Sequence, residues 1–208
     1  MDVDEIEEIV REGYNAIAAS YLSRRRGKDS RDLALLGEIV GRLPRGASVL
    51  DAGCGAGIPV AKFLSKFFRV TGVDFSEAQV RLAQKLVPEA RFICGNIREL
   101  GFSDGCFDAV VSYYAIIHIP RQAHRGVFQD FHRILRPAGL AFLCLGADDL
   151  VEDVAEDYLG TRMYWSHYDA DTNIGMLEEC GFTIVFRKMV PDCFSPGSEH
   201  LFVMARRD

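Results

Sequence analysis

Apolar residues along this chain fall into short unbroken runs and helical stripes, and for most of its length the two alternate. "SVLDAG" (48–53) has the pattern of a buried strand, and Pro59 suits the first turn of a helix over "PVAKFLSKFF" (59–68). "RVTGVDF" (69–75) gives a second strand. Ser76 then caps a helix, Gln79 completes a capping box, and Val80, Ala83 and Val87 form its buried face up to Pro88. "RFICGN" (91–96) and "FDAVVSYY" (107–114) are the third and fourth strands. A helix near 122–136 puts Val127, Phe128, Phe131, Ile134 and Leu135 on one stripe, and "LAFLCLG" (140–146) is a fifth strand. Strands alternating with helices predict a parallel sheet covered on both faces.

After residue 146 the rhythm changes. In "DDLVEDVAEDYLG", Val151, Val154, Ala155, Tyr158 and Leu159 form an apolar stripe that predicts an extra helix, followed by the aromatic run "MYWSHYD" (163–169). A short helix ends at Gly181, and "FTIVFRKMV" and "HLFVMARR" flank a Pro/Gly turn that predicts a hairpin. An antiparallel last strand then closes an otherwise parallel sheet, which is not the flavodoxin-like or dinucleotide-binding ending.

Length and composition narrow the classes. With 208 residues, 49% of them hydrophobic, the chain is expected to form one domain with a substantial core. A formal charge of −6, from 24 basic and 30 acidic side chains, argues against nucleic acid as a partner. The one basic cluster, "SRRRGK" (23–28), reads as cations near a helix C-terminus. No apolar stretch reaches the length of a membrane span, and the acidic "MDVDEIEEIV" is unlike a secretory signal. Six scattered cysteines (54, 94, 106, 144, 180, 193) without a C-x-x-C pair read as small buried hydrophobes in a reducing cytoplasm, and no metal site is expected.

The chemistry begins at "VLDAGCGAGIP" (49–59), where Gly53, Gly55 and Gly57 alternate after a strand. The dinucleotide loop requires G-x-G-x-x-G, and its third glycine would fall on Ile58; no G-x-x-x-x-G-K-[ST] loop exists either. Asp74, 17 residues past Gly57 at the end of the second strand, can accept from both hydroxyls of a ribose. These residues predict a nucleoside ligand with a non-phosphate attachment.

With these motifs in order, the chain resembles the class I S-adenosylmethionine-dependent methyltransferases, particularly the small-molecule "type 11" kind. "VLDAGCGAG", "VTGVDFS", "GNI", "FDAVVSYYAIIHIP", "RILRPAGLAFL" and the N-terminal "YNAIAASYLSRR" carry the likeness over roughly residues 10–206. It implies a doubly wound, seven-stranded, mostly parallel α/β sheet with an antiparallel last strand. Residues 1–208 would be a single domain, with 1–30 a helical lid and 147–171 a helical, aromatic insertion over the substrate pocket.

The resemblance also implies roles. Asp51 and the backbone at Gly53, Gly55 and Gly57 would hold the methionine part; Asp74 would bind the ribose, with Phe75 and Ile97 packing on the adenine. Asn96 stands where the family has an adenine-contacting Asp, and Ser112 and Tyr113 would line the methionine end. Tyr14 and Tyr21, seven apart on one helix face, would contact the cofactor from the lid. Tyr114, His118, Trp165, His167 and Tyr168 would meet the acceptor, and Tyr113, Tyr114 or Trp165 could stabilise the sulfonium with their ring faces. His118 and His167 are the candidate general bases, needed only if the acceptor keeps its proton at neutral pH.

Each residue has a plainer alternative. The glycines could make a tight turn, Asp74 a helix start, and Asn96 and Ile97 a strand end. Tyr14, Tyr21, Trp165, His167 and Tyr168 could be core aromatics, and His118 a structural histidine. The expected reaction is in-line methyl transfer from S-adenosylmethionine to a small molecule, leaving S-adenosylhomocysteine, by a monomer or homodimer. A nicotinamide-dependent oxidoreductase and a non-catalytic S-adenosylmethionine-binding protein remain alternatives. The absence of an Asn-Pro-Pro-Tyr motif after the fourth strand disfavours DNA bases and protein glutamine as acceptors.

Overall fold

In β1 (Ser48–Ala52) every residue after Ser48 is buried, and β4 (Phe107–Ser112) beside it is almost as fully enclosed. Strands buried on both faces belong at the centre of a sheet covered on both sides. This computed structural model describes residues 1–26, 31–192, 195 and 197–208. Residues 27–30 of the expected lid, with the end of the basic cluster, and Cys193 lie outside the described residues.

The remaining strands are β2 (Arg69–Asp74), β3 (Arg91–Cys94), β5 (Leu135–Gly146), β6 (Leu150–Tyr158), β7 (Thr161–His167), β8 (Phe182–Pro191) and β9 (Glu199–Arg207). Seven of the nine described strands form one sheet in the order β3-β2-β1-β4-β5-β9-β8. β1 to β5 run parallel, and β9 is antiparallel to both of its neighbours, β5 and β8. This is the expected doubly wound sheet with an antiparallel last strand. Strand order reverses between β1 and β4, where open α/β sheets bind ligands at the carboxyl ends.

Successive residues of the central strands feed opposite cores, as the strand period requires. Val49, Val111, Phe142 and Phe202 pack with α3 (Leu36–Val40), α4 (Val60–Leu64) and α5 (Glu77–Leu86). Leu50, Val110, Leu143 and Val203 pack with Phe128, Phe131 and Ile134 of α6 (His124–Ile134) and Leu177 of α7 (Ala170–Glu179). A four-residue α2 (Arg31–Ala34) precedes α3, and α1 (Val3–Arg26) lies outside the two layers.

The helix expected over 151–159 is a strand. Residues 150–167 form the antiparallel hairpin β6–β7, turning at Leu159 and Gly160, both with positive φ. A stripe at i and i+4 fits either structure, because four residues is near one helical turn and also two strand periods. Val154 and Tyr158 use that spacing to face α1, while Val151 and Leu159 of the same supposed stripe are exposed. Hairpin and α1 make a third core: Ile6, Val10 and Ile17 pack on Met163 and Tyr164. The cysteines divide as well. Cys54 and Cys144 are buried as expected, whereas Cys106 and Cys180 are half-buried and Cys94 is exposed. No described helix is long and apolar enough to cross a membrane.

Candidate active site

The carboxyl ends of β1 to β4 open onto one cleft of about 700 Å3, roofed by α1. Its wall contains Gly53 and Gly55 after β1, Asp74 and Phe75 at β2, Asn96 and Ile97 after β3, and Tyr113 and Tyr114 after β4. From α1 come Glu7, Val10, Tyr14 and Tyr21, and His118 closes the far end.

Gly53, Gly55 and Gly57 all have positive φ (78°, 52° and 73°), so the alternating glycines turn the chain out of β1 as a bare loop. Their neighbours differ. A side chain on Gly53 would run into Cβ of Ala115 in the loop after β4. One on Gly57 would come within 3.1 Å of Phe92 and Val87, so this glycine faces the chain's own core and not the cleft.

Asp74 is fixed by the backbone it serves. Its Oδ2 accepts from the Gly55 amide and its Oδ1 from the Ser76 amide, both at 2.9 Å. Burial lifts its pKa to about 6 against the lowering effect of those two amides. Asp51, 1% exposed, lines an adjoining hollow with Tyr21, Arg25, Gly53 and Tyr113. Its Oδ2 has no hydrogen-bond partner among the described residues. Burial, with the nearby Asp74 charge adding to it, pushes the Asp51 carboxyl up to about 8. Near neutral pH a buried acid of this kind keeps its proton unless a cation comes to lie beside it.

Asn96 is tied on both sides. Its Nδ2 donates to Glu7 Oε1 at 2.9 Å and its Oδ1 accepts from the Arg98 amide at 3.0 Å, while the Arg98 guanidinium pairs with the same Glu7. A carboxylate therefore stands next to this amide, supplied from α1. Glu7, Tyr14 and Tyr21 are spaced by seven on one helix face, a signal by which Glu7 was visible in the sequence. Val10, Gln79, Arg98, Ala115, Ile119 and Pro120 also line the cleft and were not among the candidates.

Tyr14 Oη lies 2.8 Å from His118 Nε2, and His118 Nδ1 lies 2.7 Å from the Tyr164 carbonyl oxygen. A carbonyl only accepts, so Nδ1 carries the hydrogen and Nε2 accepts from the phenol. Burial holds His118 at about 4, well below an ordinary histidine, and raises the Tyr14 phenol well above its ordinary value. Both ring nitrogens of His118 are thus engaged and its charged form is disfavoured, which leaves it no free nitrogen with which to take a proton.

Four more expectations are corrected by position. Ser112 is fully buried, donates to the Ala52 carbonyl at 2.8 Å and joins β4 to β1 below the cleft. Trp165 packs between His118 and Tyr158, at ring distances of 5.5 and 5.1 Å, and braces the hairpin. His167 is bound through Nδ1 to the Asp148 carbonyl at 2.7 Å, and burial lowers its pKa. Tyr168 packs edge-on to His124 beneath the Arg121 guanidinium. None of these four lines the cleft. On a strand, neighbouring side chains point to opposite faces, so a ring-rich stretch that would wall a pocket from a helix is spent here on holding β7 to its supports. Of the expected acceptor wall, Tyr114 and His118 do line it.

The sheet order with its antiparallel last strand is also the fold of solved S-adenosylmethionine-dependent methyltransferases, to which this chain is similar. Residues 49–139 match the family model of the methyltransferase domain. Among curated relatives, 2-methyl-6-phytyl-1,4-hydroquinone methyltransferase of Synechocystis is 39% identical over 47% of this chain and 31% of its own length. Sterol 24-C-methyltransferase ERG6B of Gibberella zeae is 36% identical over 46% of this chain and 26% of its own length. The matched stretch thus spans less than a third of either relative. In fold, the chain is similar to the Burkholderia thailandensis 1,6-didemethyltoxoflavin-N1-methyltransferase solved with S-adenosylhomocysteine bound. Their TM-score is 0.75 at 24% identity, over 100% of this chain and 91% of that one.

Proposed function

We propose that this protein is an S-adenosylmethionine-dependent methyltransferase acting on a small-molecule acceptor. The observation that carries this reading is the pair of acids at neighbouring strand ends, Asp51 with a buried oxygen that lacks a partner and Asp74 clamped over the glycine loop. The methionyl ammonium supplies the cation that Asp51 lacks, and the ribose hydroxyls are donors for the remaining lone pairs of Asp74. Phe75 and Ile97 offer apolar faces for the adenine, and Glu7 with Asn96 offers it a polar edge.

When bound, S-adenosylmethionine supplies a methyl group already activated for displacement on its sulfonium. The chain's own contribution is alignment and exclusion of water, with α1 as the lid over the strand ends. Tyr113 offers a ring face to positive charge at the β4 end of the cleft, while the Tyr114 ring already carries the Arg25 guanidinium 4.8 Å from its centroid. Since both ring nitrogens of His118 are engaged and His167 does not line the cleft, the acceptor brings its own lone pair and needs no histidine base. The hydroquinone, sterol and toxoflavin acceptors named for the similar proteins are ring compounds, and a cleft with this mostly apolar wall suits one.

A cytoplasmic setting, in which the exposed Cys94 stays a thiol, belongs to the same reading, as does a monomer or homodimer. Calorimetry with S-adenosylhomocysteine and NAD tests the cofactor, and methyl transfer to a panel of ring acceptors tests the reaction. Binding of the first ligand but not the second is expected; a protein that binds NAD alone, or neither, refutes the reading.

A further inference from the structure

Gln79 is the third residue of α5, where a capping box would turn its amide back to the Ser76 backbone N–H. Only half of that box forms. The Ser76 hydroxyl oxygen accepts from the Gln79 backbone amide at 3.3 Å, but the Ser76 N–H is taken by Asp74 at 2.9 Å. Asn15 of α1 supplies what else this helix end needs, its Oδ1 accepting from the Ser76 hydroxyl at 2.8 Å and from the Ala78 amide at 3.2 Å.

The Gln79 side chain is thereby displaced from its local partner and remains 1% exposed. Neither Oε1 nor Nε2 has a hydrogen-bond partner among the described residues. Such a group is rare in folded proteins. It lines the cleft, and its Oε1 lies 3.7 Å from where a Cβ on Gly55 would stand, on the glycine whose N–H is bound to Asp74.

We infer that Gln79 is a second ribose ligand, working beside Asp74. This rests on the cofactor reading above and adds a residue to it. A carboxylate only accepts, so Asp74 can take hydroxyl hydrogens but can give none back. A ribose hydroxyl both donates and accepts, and the Gln79 amide supplies the missing donor through Nε2 and a further acceptor through Oε1. Together the two side chains satisfy a hydroxyl pair that either alone leaves half bonded, which favours a ribose over a deoxyribose.

The test is calorimetry on wild-type protein, Gln79→Met and Gln79→Leu with S-adenosylhomocysteine and its 2′-deoxy and 3′-deoxy forms, together with melting temperatures of the unliganded proteins. The variants should melt at or above the wild-type temperature, because an unpaired buried amide is replaced by an apolar group of similar size. Their affinity for S-adenosylhomocysteine should fall about tenfold, ~1.4 kcal/mol. The deficit should close for the analogue that lacks the hydroxyl Gln79 meets. Affinity within twofold of wild type overturns the assignment, as does an equal deficit for all three ligands. So does a lowered melting temperature with unchanged affinity. If wild-type protein binds none of the ligands, the cofactor reading falls and this one with it; if it binds them and the variants match it, this assignment falls alone.

Discussion

Tyr14 Oη and His118 Nε2, 104 positions apart in sequence, stand 2.8 Å from each other and join the roof of the cleft to the loop after β4. The phenol donates and the imidazole accepts, because His118 has already committed its other nitrogen to the Tyr164 carbonyl of the hairpin. One side chain thus holds α1, the loop after β4 and β7 together.

Tyr14→Phe leaves His118 Nε2 buried without its donor. The variant should lose about 1–2 kcal/mol of stability in urea denaturation. Backbone amides of residues 10–25 should exchange faster in the unliganded variant than in wild-type protein, and bound S-adenosylhomocysteine should restore much of the protection. Unchanged exchange would mean that α1 is held by its apolar face alone.

His118 and His124 are both held near pKa 4 by burial, below the ordinary 6.5. Between pH 6.5 and about 4 the unfolded chain binds these protons first, so stability is full above that window and falls as pH drops through it. Replacing His118 by Asn should reduce the steepness of that fall by one group's share, measured as denaturation midpoint against pH.

Asp51, raised from 3.8 to about 8, carries the opposite sign. The folded chain holds this proton through that window, so unliganded stability declines as pH rises from 3.8 towards 8, with Asp74 adding to the decline up to about 6. An ammonium ligand favours the ionised acid. Binding of S-adenosylhomocysteine near pH 7 should therefore release a proton and strengthen as pH approaches 8. Calorimetry in buffers of different ionisation enthalpy reads the proton directly; Asp51→Asn should abolish its release and weaken binding.

Asp74→Ala removes the acceptor of two backbone amides as well as the ribose contact proposed for it. Affinity for S-adenosylhomocysteine should fall by about 2–4 kcal/mol, the size expected for charge-assisted bonds. An unchanged dissociation constant would remove Asp74 from the site.

Trp165→Ala separates a brace from a substrate wall. With its ring between His118 and Tyr158, truncation should cost about 2–3 kcal/mol of stability through lost packing of the hairpin. Methyl transfer by the protein that remains folded should stay within a few-fold of wild type. Intact stability with a tenfold loss of transfer would return Trp165 to the acceptor.

The five parallel strands, their flanking helices and the closing hairpin were legible in the sequence because each depends on its own short stretch: a run buried on both faces, a stripe at helical spacing, a cap or a turn. The same locality exposed Gly53, Gly55, Asp74 and Asn96, since the ends of parallel strands converge on one edge whatever else the chain does. The hairpin at 150–167 was hidden because Val154 and Tyr158 satisfy helix and strand spacing alike, and only docking against α1 chose between them. Tertiary structure also decided which polar groups have partners. Asn15 reached the Ser76 hydroxyl from 61 positions away, Glu7 arrived beside Asn96 from 89 positions away, and both nitrogens of His118 were taken by groups distant in sequence. A side chain's type and spacing set what it can bind, but whether a donor or acceptor remains for a ligand depends on what the fold has already given it, and those neighbours come from anywhere in the chain.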